Sequence, residues 1–149
     1  MAEKSGGCIF CDAAASRDGE DSLVVFRGER VFVILNRYPY TNGHLMVAPY
    51  AHEGWLSSSN AQTLTELIET VARAEKILVA AYRTDGLNVG INFGSAAGAG
   101  VAEHYHVHIV PRWNGDTNFR TVTAATRVVP EELAVTLARL KPHFARSNR

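Results

Sequence analysis

The segment Glu103-His104-Tyr105-His106-Val107-His108 sets three of the chain's six histidines at alternate positions. A neutral imidazole is a competent nucleophile near neutral pH, because its unperturbed pKa is about 6.5, and a protonated neighbour can supply charge to a phosphate oxygen. Three on one face can bind, attack and stabilise. Successive side chains of a strand alternate faces, so His104, His106 and His108 share one side while Tyr105, Val107 and Ile109 point to the other. On a helix His106 would point away from its neighbours. The pattern predicts a strand with an apolar face in the core and a histidine face beside a cleft; the plain alternative is a polar strand face without chemistry.

Cys8 and Cys11, the only two cysteines, have the C-x-x-C spacing of half a zinc site, which thiolates and imidazoles complete as a tetrahedron. They lie too close together to staple distant parts of a secreted fold. A redox pair and unligated thiols are the other readings, and the redox pair lacks a thioredoxin-like βαβ context. In the loop SAAGAGVAE, Gly98 and Gly100 either let backbone N–H groups approach a phosphate or form a plain flexible turn.

These residues need a frame. LVVF (23–26) and VFVIL (31–35), joined by RGER, read as a hairpin of β-branched and aromatic strands. A third strand follows at 44–50, after a loop marked by Pro39, Asn42 and Gly43. Residues 59–82 place Leu64, Leu67, Ile68, Val71, Ala74, Ile77, Leu78 and Ala81 at helical spacing behind a Ser/Asn cap, which predicts one long amphipathic helix closed by TDG. GLNVGINFG then alternates Leu87, Val89, Ile91 and Phe93 with Asn88, Gly90, Asn92 and Gly94, the period of a strand with one buried face. After the histidine strand NGDTNF is loop. PEELAVTLARL begins a second helix, with Pro130 suited to its first turn. This order predicts an α+β domain with a mostly antiparallel sheet and helices packed on one face.

A chain of 149 residues is long enough to bury one core. Its 15 Lys plus Arg balance 15 Asp plus Glu, so no strong overall field draws in nucleic acid or an anionic membrane, and an anion must be gripped locally. No apolar run approaches the ~18 residues of a membrane span. The start shows no apolar signal region. The expectation is a cytoplasmic protein with no stable nucleic acid partner and no membrane partner.

His104-Tyr105-His106-Val107-His108-Ile109-Val110 resembles the His-φ-His-φ-His-φ-φ signature, with φ apolar, of the histidine triad superfamily of nucleotide hydrolases and transferases. NRYPYTNGHLMVAPYAH, LNVGINFGSAAGAG and PRWNGDTNF occur in the order and spacing of that superfamily, so the resemblance covers roughly residues 8 to 120. It implies a histidine triad fold over a single domain, 1–149, with a C-terminal helical segment at about 130–144. It also implies that His106 attacks the α-phosphate and becomes a covalent nucleotidyl-imidazole, with His108 and His44 lining the same phosphate site. Asn36 falls where the superfamily contacts the ribose, and Asn92 where it places an amide near the scissile phosphate. On the residues alone, the plain alternatives are a turn residue for Asn36, a solvated strand position for Asn92 and a surface histidine for His44. The loop 95–103 departs from the commoner Gly-Gln-Ser pattern, with Gly-Val and one extra residue in its place. By resemblance, His52 and His104 complete a structural zinc site with Cys8 and Cys11, and the long helix and a neighbouring strand pair across a two-fold axis in a homodimer.

PRWNGDTNF resembles the branch containing fragile histidine triad hydrolases and bacterial diadenosine tetraphosphate phosphorylases; on the residues alone, Pro111 and Arg112 could simply end the strand. The resemblance implies an enzyme that cleaves dinucleoside polyphosphates through nucleotidyl-His106 and releases the nucleotide to phosphate or water. Two alternatives stand beside it, a nucleoside phosphoramidate or adenylyl-conjugate hydrolase and a nucleotide-binding regulatory protein with little turnover.

Overall fold

The computed structural model describes residues 7–18, 22–116 and 130–146. Strands β1 (Val24–Arg27), β2 (Val31–Leu35), β3 (Leu45–Pro49), β4 (Gly86–Ile91) and β5 (Val107–Arg112) form one sheet in the order β1-β2-β3-β5-β4, with every neighbouring pair antiparallel. The chain leaves β3 through helix α2 (Ala61–Tyr82), returns along the edge as β4, and then inserts β5 between β4 and β3. The hairpin β1–β2 turns at Gly28, where an added Cβ would lie 2.8 Å from both Val31 O and Glu66 Oε2. The Glu66 carboxylate accepts the N–H groups of Arg30 and Val31 at 2.7 and 2.8 Å, so the helix fixes the turn.

Helix α2 starts behind Asn60, whose side chain accepts the Thr63 N–H at 2.9 Å. Leu67, Val71, Ala74, Ile77 and Leu78 are buried as their spacing predicts, but Ile68 is 65% exposed. Helix α3 (Leu133–Arg146) joins α2 on the same face, over Val31, Val33, Leu35, Leu45 and Val47. Pro130 stands before this helix, not in its first turn; the N–H groups of Val135 and Thr136 bond back to Glu132 O, so the helix begins after Glu132.

The expectation of helices on one face is corrected by α1 (Ile9–Ala15), which covers the opposite face with a second core of Cys8, Phe10, Val24, Phe32, Ile34, Met46 and Ala48. Strands β2 and β3 are buried on both sides, which is what uninterrupted apolar runs such as VFVIL require. Strand β4 is also corrected. It stops at Ile91, leaving Asn92 and Phe93 beyond it, and Val89 is 49% exposed because β4 is the sheet's edge. The ladder of β5 begins only at Val107, so His104 and His106 precede it. His44 likewise precedes β3 by one residue. The loop NGDTNF is described as far as Asp116; its residues 117–119 lie outside the described residues.

Candidate active site and metal cluster

Tyr105, Val107 and Ile109 enter the core under α2. The Tyr105 ring is anchored by its hydroxyl, 2.6 Å from Ser59 Oγ, and by its N–H, which donates to Glu53 O at 2.8 Å. The three histidines turn the other way, and the alternation continues through His104 and His106 although neither is in the ladder. His108 sits between Met46 of β3 and Gly90 of β4. Phe10 of α1 stacks on the His106 ring at 4.5 Å, and the rings of His106 and His108 meet edge to face at 4.8 Å.

Hydrogen bonds to groups of fixed polarity assign the protons. His106 Nδ1 lies 3.0 Å from His104 O; a carbonyl only accepts, so Nδ1 carries the proton and Nε2 keeps its lone pair. Tyr40 N–H donates to His44 Nδ1 at 3.1 Å, which puts the His44 proton on Nε2. That N–H donates to His108 Nδ1 at 2.9 Å, leaving the His108 proton on Nε2. The site therefore presents a bare nitrogen on His106 beside an N–H on His108. Asn36 Nδ2, 3.5 Å from His44 Nε2, faces a nitrogen already committed to His108 and makes only a contact there; its Oδ1 accepts the Tyr38 N–H at 2.8 Å.

Burial holds these rings neutral. It lowers His44 to about 4, helped by the neighbouring His108 and His106. Burial also lowers His106, against the pull of its bond to the His104 carbonyl, and lowers His108, where His106 adds to it. A neutral His106 is the nucleophilic form. For His44 the unfolded chain binds its proton near 6.5 and the folded chain near 4. Stability from this group is thus complete above the unfolded value and is lost as pH falls towards the folded one, by on the order of 3 kcal/mol. Urea unfolding between pH 7 and 4.5 is expected to show this loss, with a shallower pH dependence in His44→Gln. An equal slope in the two proteins contradicts it.

A cleft of about 760 Å³ opens between α1, the start of β1 and the end of β2, with Ile9, Asp12, Leu23, Ile34, Asn36 and Met46 among its walls. Asn36 thus joins this cleft to His44. Asn92 is exposed, one residue past the Ile91–Val107 pair. Gly98 ends a short 3₁₀ turn with φ +90°, which favours glycine, and Gly100 follows it; both are exposed. No hydrogen bond joins Asn92, Gly98 or Gly100 to the histidines among the described residues.

Cys8, Cys11, His52 and His104 bring their donor atoms within 4.8 Å of one another. The cluster could hold a metal. His104 Nε2 lies 2.7 Å from Pro49 O and must donate to it, so its Nδ1 lone pair faces Cys8 Sγ at 3.4 Å and Cys11 Sγ at 3.5 Å. His52 Nδ1 stands 3.2 Å from Cys11 Sγ, while its Nε2 faces Glu103 at 3.6 Å. Two sulfurs and two nitrogens, one ring oriented by a backbone carbonyl and the other facing a carboxylate, are a donor set suited to tetrahedral zinc.

Tyr40 and Phe10 were not legible as site residues. Tyr40 acts through its backbone N–H and through its ring, 4.6 Å from that of His44; Phe10 acts through a helix whose seven residues carry little periodic signal. Pro111 and Arg112 lie within β5, and Arg112 grips Asp116 through two bonds of 2.9 and 2.8 Å, closing the PRWNGD turn.

Residues 17–115 match the model of the HIT domain. A Mycobacterium tuberculosis protein named AP-4-A phosphorylase is 42% identical over 127 residues, 85% of this chain; the chain spans 65% of that relative's length. An uncharacterised HIT-like protein of Saccharolobus solfataricus is 34% identical over 73% of this chain and 76% of its own. The crystal structure of a Zn-bound histidine triad family protein from Mycobacterium smegmatis matches with a TM-score of 0.75 and 27% identity, covering 95% of each chain. The sheet, the paired helices and the histidine segment are those of a histidine triad fold, and the chain belongs to the HIT domain family.

Proposed function

We propose that this protein cleaves dinucleoside polyphosphates, such as diadenosine tetraphosphate, at the α-phosphate through a covalent nucleotidyl-His106 intermediate. The bare Nε2 of His106 beside the N–H of His108 carries the reading. Nε2 attacks phosphorus, the bond to the bridging oxygen breaks, and the polyphosphate leaves with that electron pair. His108 Nε2–H donates to a phosphate oxygen where charge gathers, and His44, itself oriented by Tyr40, fixes the tautomer of His108. The cleft beside Asn36 takes the nucleoside, with Asn36 on the ribose. Asn92 and the N–H of Gly100, held beside the glycine turn at Gly98, meet the scissile phosphate and the polyphosphate beyond it. The relative named AP-4-A phosphorylase supports this substrate class.

Cys8, Cys11, His52 and His104 hold a structural zinc in this reading, because four protein ligands leave no open position for water. Cys8 and Cys11 serve as thiolate ligands only when reduced, which suits a cytoplasmic setting. No helix among the described residues is long and apolar enough to cross a membrane. The chain acts as one HIT module. Exposed Ile68 and Val79 on α2 and Val89 on the edge strand β4 are the surface for a two-fold homodimer with a continuous sheet.

The second step transfers the nucleotide from His106 to an acceptor. With diadenosine tetraphosphate, attack by phosphate yields ADP plus ATP, and attack by water yields AMP plus ATP. Phosphate is the expected acceptor, because the small residues Gly98, Ala99 and Gly100 leave room for an anion beside the Gly100 N–H, the Gly98 and Ala99 N–H groups being bonded to Ser95 O and Gly94 O. Labelled phosphate is therefore expected in ADP. AMP formation indifferent to added phosphate would make the protein a hydrolase, and absence of cleavage in either buffer would contradict the proposed activity.

A further inference from the structure

The loop 36–44 supplies both Asn36 and the pair Tyr40–His44, yet it lies between two strands with little secondary structure of its own. Its far end is tied down by residues remote in sequence. Asn42 Oδ1 accepts the backbone N–H of Glu131, 89 positions away, at 2.8 Å. The Glu131 carboxylate, 13% exposed, accepts the Tyr82 hydroxyl and the Thr136 hydroxyl on one oxygen and Arg139 on the other, at 2.9 Å. Tyr82, the last residue of α2, packs its ring against Gly43: a Cβ there would come within 3.0 Å of it, and the φ of +82° favours glycine as well. Arg139 of α3 covers that ring at 5.1 Å. A few bonds away, Thr41 Oγ1 donates to Pro111 O at 2.7 Å and joins the same loop to the end of the histidine strand. Burial would raise the Glu131 carboxyl, but the Tyr82 and Thr136 hydroxyls and the Arg139 charge hold it below the usual carboxylate range, so it is an ionised acceptor.

We propose that Glu131, Tyr82 and Asn42 form a latch by which the entry to helix α3, a segment outside the matched residues 17–115, holds loop 36–44 so that the His44–His108 hydrogen bond stays in working register. These are positioning residues, each acting through the backbone of the loop that ends at His44. The inference rests on the roles assigned above to His44 and His108. Loss of the latch loosens the relay that fixes the His108 tautomer, while the cleft walls outside the loop, Ile9, Asp12, Ile34 and Met46 among them, stay in place. Turnover should fall while nucleotide binding holds. A merely structural contact would lower melting temperature and leave each folded molecule fully active.

The test uses the full chain and the variants Tyr82→Phe, which keeps the ring against Gly43, Glu131→Ala and Glu131→Gln, which keeps an oxygen for the two hydroxyls. At a temperature where every protein is fully folded, kcat on diadenosine tetraphosphate is expected to fall about tenfold in Tyr82→Phe and Glu131→Ala, with AMP affinity within about twofold, and to recover in large part in Glu131→Gln. The ¹⁵N resonances of His44 and His108 should move from fixed tautomers towards exchange-averaged values in the same two variants. If Glu131→Ala does not fold, Tyr82→Phe carries the comparison. Lowered melting temperature with wild-type kcat and wild-type histidine resonances would overturn the latch. If the wild-type protein does not cleave the dinucleotide, the proposed activity fails on that result, and the histidine resonances alone decide the latch: moved in Tyr82→Phe they support it, unmoved they overturn it.

Discussion

Replacing His106 with alanine is expected to lower turnover of a dinucleoside polyphosphate by at least ~10³-fold while nucleotide binding survives. The asymmetry follows from the tautomers. His106 is the histidine whose Nδ1–H is spent on a backbone carbonyl, so its Nε2 is the basic nitrogen turned outward, whereas His108 presents an N–H and His44 spends both nitrogens on neighbours. Neither of the other two can take over the attack without reversing the relay that starts at Tyr40 N–H. The cleft lined by Ile34, Asn36 and Met46 contains no part of the His106 ring, which is why affinity should persist. His108→Ala should be milder, since it removes a donor and not the nucleophile. Steady-state rates with AMP affinity measured by calorimetry check this; wild-type turnover in His106→Ala would rule out the assigned nucleophile.

Substitution of the metal cluster should have the next largest effect, and it should reach the active site. Cys8→Ser or Cys11→Ser is expected to lose about one zinc per chain and to lower the melting temperature by many degrees, because metal binding energy becomes folding energy when the donors come from three separate segments. Those segments are α1 with its preceding residue, the loop at His52, and His104. Phe10 lies between the two cysteines and stacks on His106, and the carbonyl that fixes the His106 tautomer belongs to His104 itself. Helix α1 also forms, through Ile9 and Asp12, one wall of the cleft proposed for the nucleoside. Chelation should therefore weaken AMP binding as well as stability. Metal content by elemental analysis, melting curves and AMP titration in the same samples test this, and a metal-free wild type prepared without chelator that is equally stable would count against it.

The histidine face was legible because a period of two survives one residue at a time: Tyr105, Val107 and Ile109 are apolar, and burial of those three is enough to turn His104, His106 and His108 the other way. Asn60 and the spacing from Leu67 to Leu78 likewise announce α2, since a cap and a helical period are local signals. Burial that depends on a neighbour was not legible. Ile68 and Val89 look like core residues by pattern, but none of the described residues covers their positions on α2 and the edge strand. Helix α1 was missed because its seven residues carry too few apolar positions to reveal a period, while the need for it is written in β2 and β3, whose apolar runs leave no solvent face. The cluster of Cys8, Cys11, His52 and His104 came from resemblance, as half a ligand set does not say where its other half lies. The proton assignments and the Glu131–Asn42 bond are tertiary facts, resting on backbone groups and on contacts between distant segments.

The proposed mechanism depends on a covalent bond between His106 and the nucleotide, and that bond can be looked for directly. The wild-type protein is mixed with diadenosine tetraphosphate, quenched within the first turnover under alkaline conditions that spare a phosphorus–nitrogen bond, and examined by mass spectrometry intact and after digestion. One adenylyl group should appear on the peptide carrying His106, should disappear when phosphate is added before the quench, and should be absent from His106→Ala. Turnover without any protein-bound adenylyl group, or an adduct that persists in His106→Ala, would contradict the mechanism.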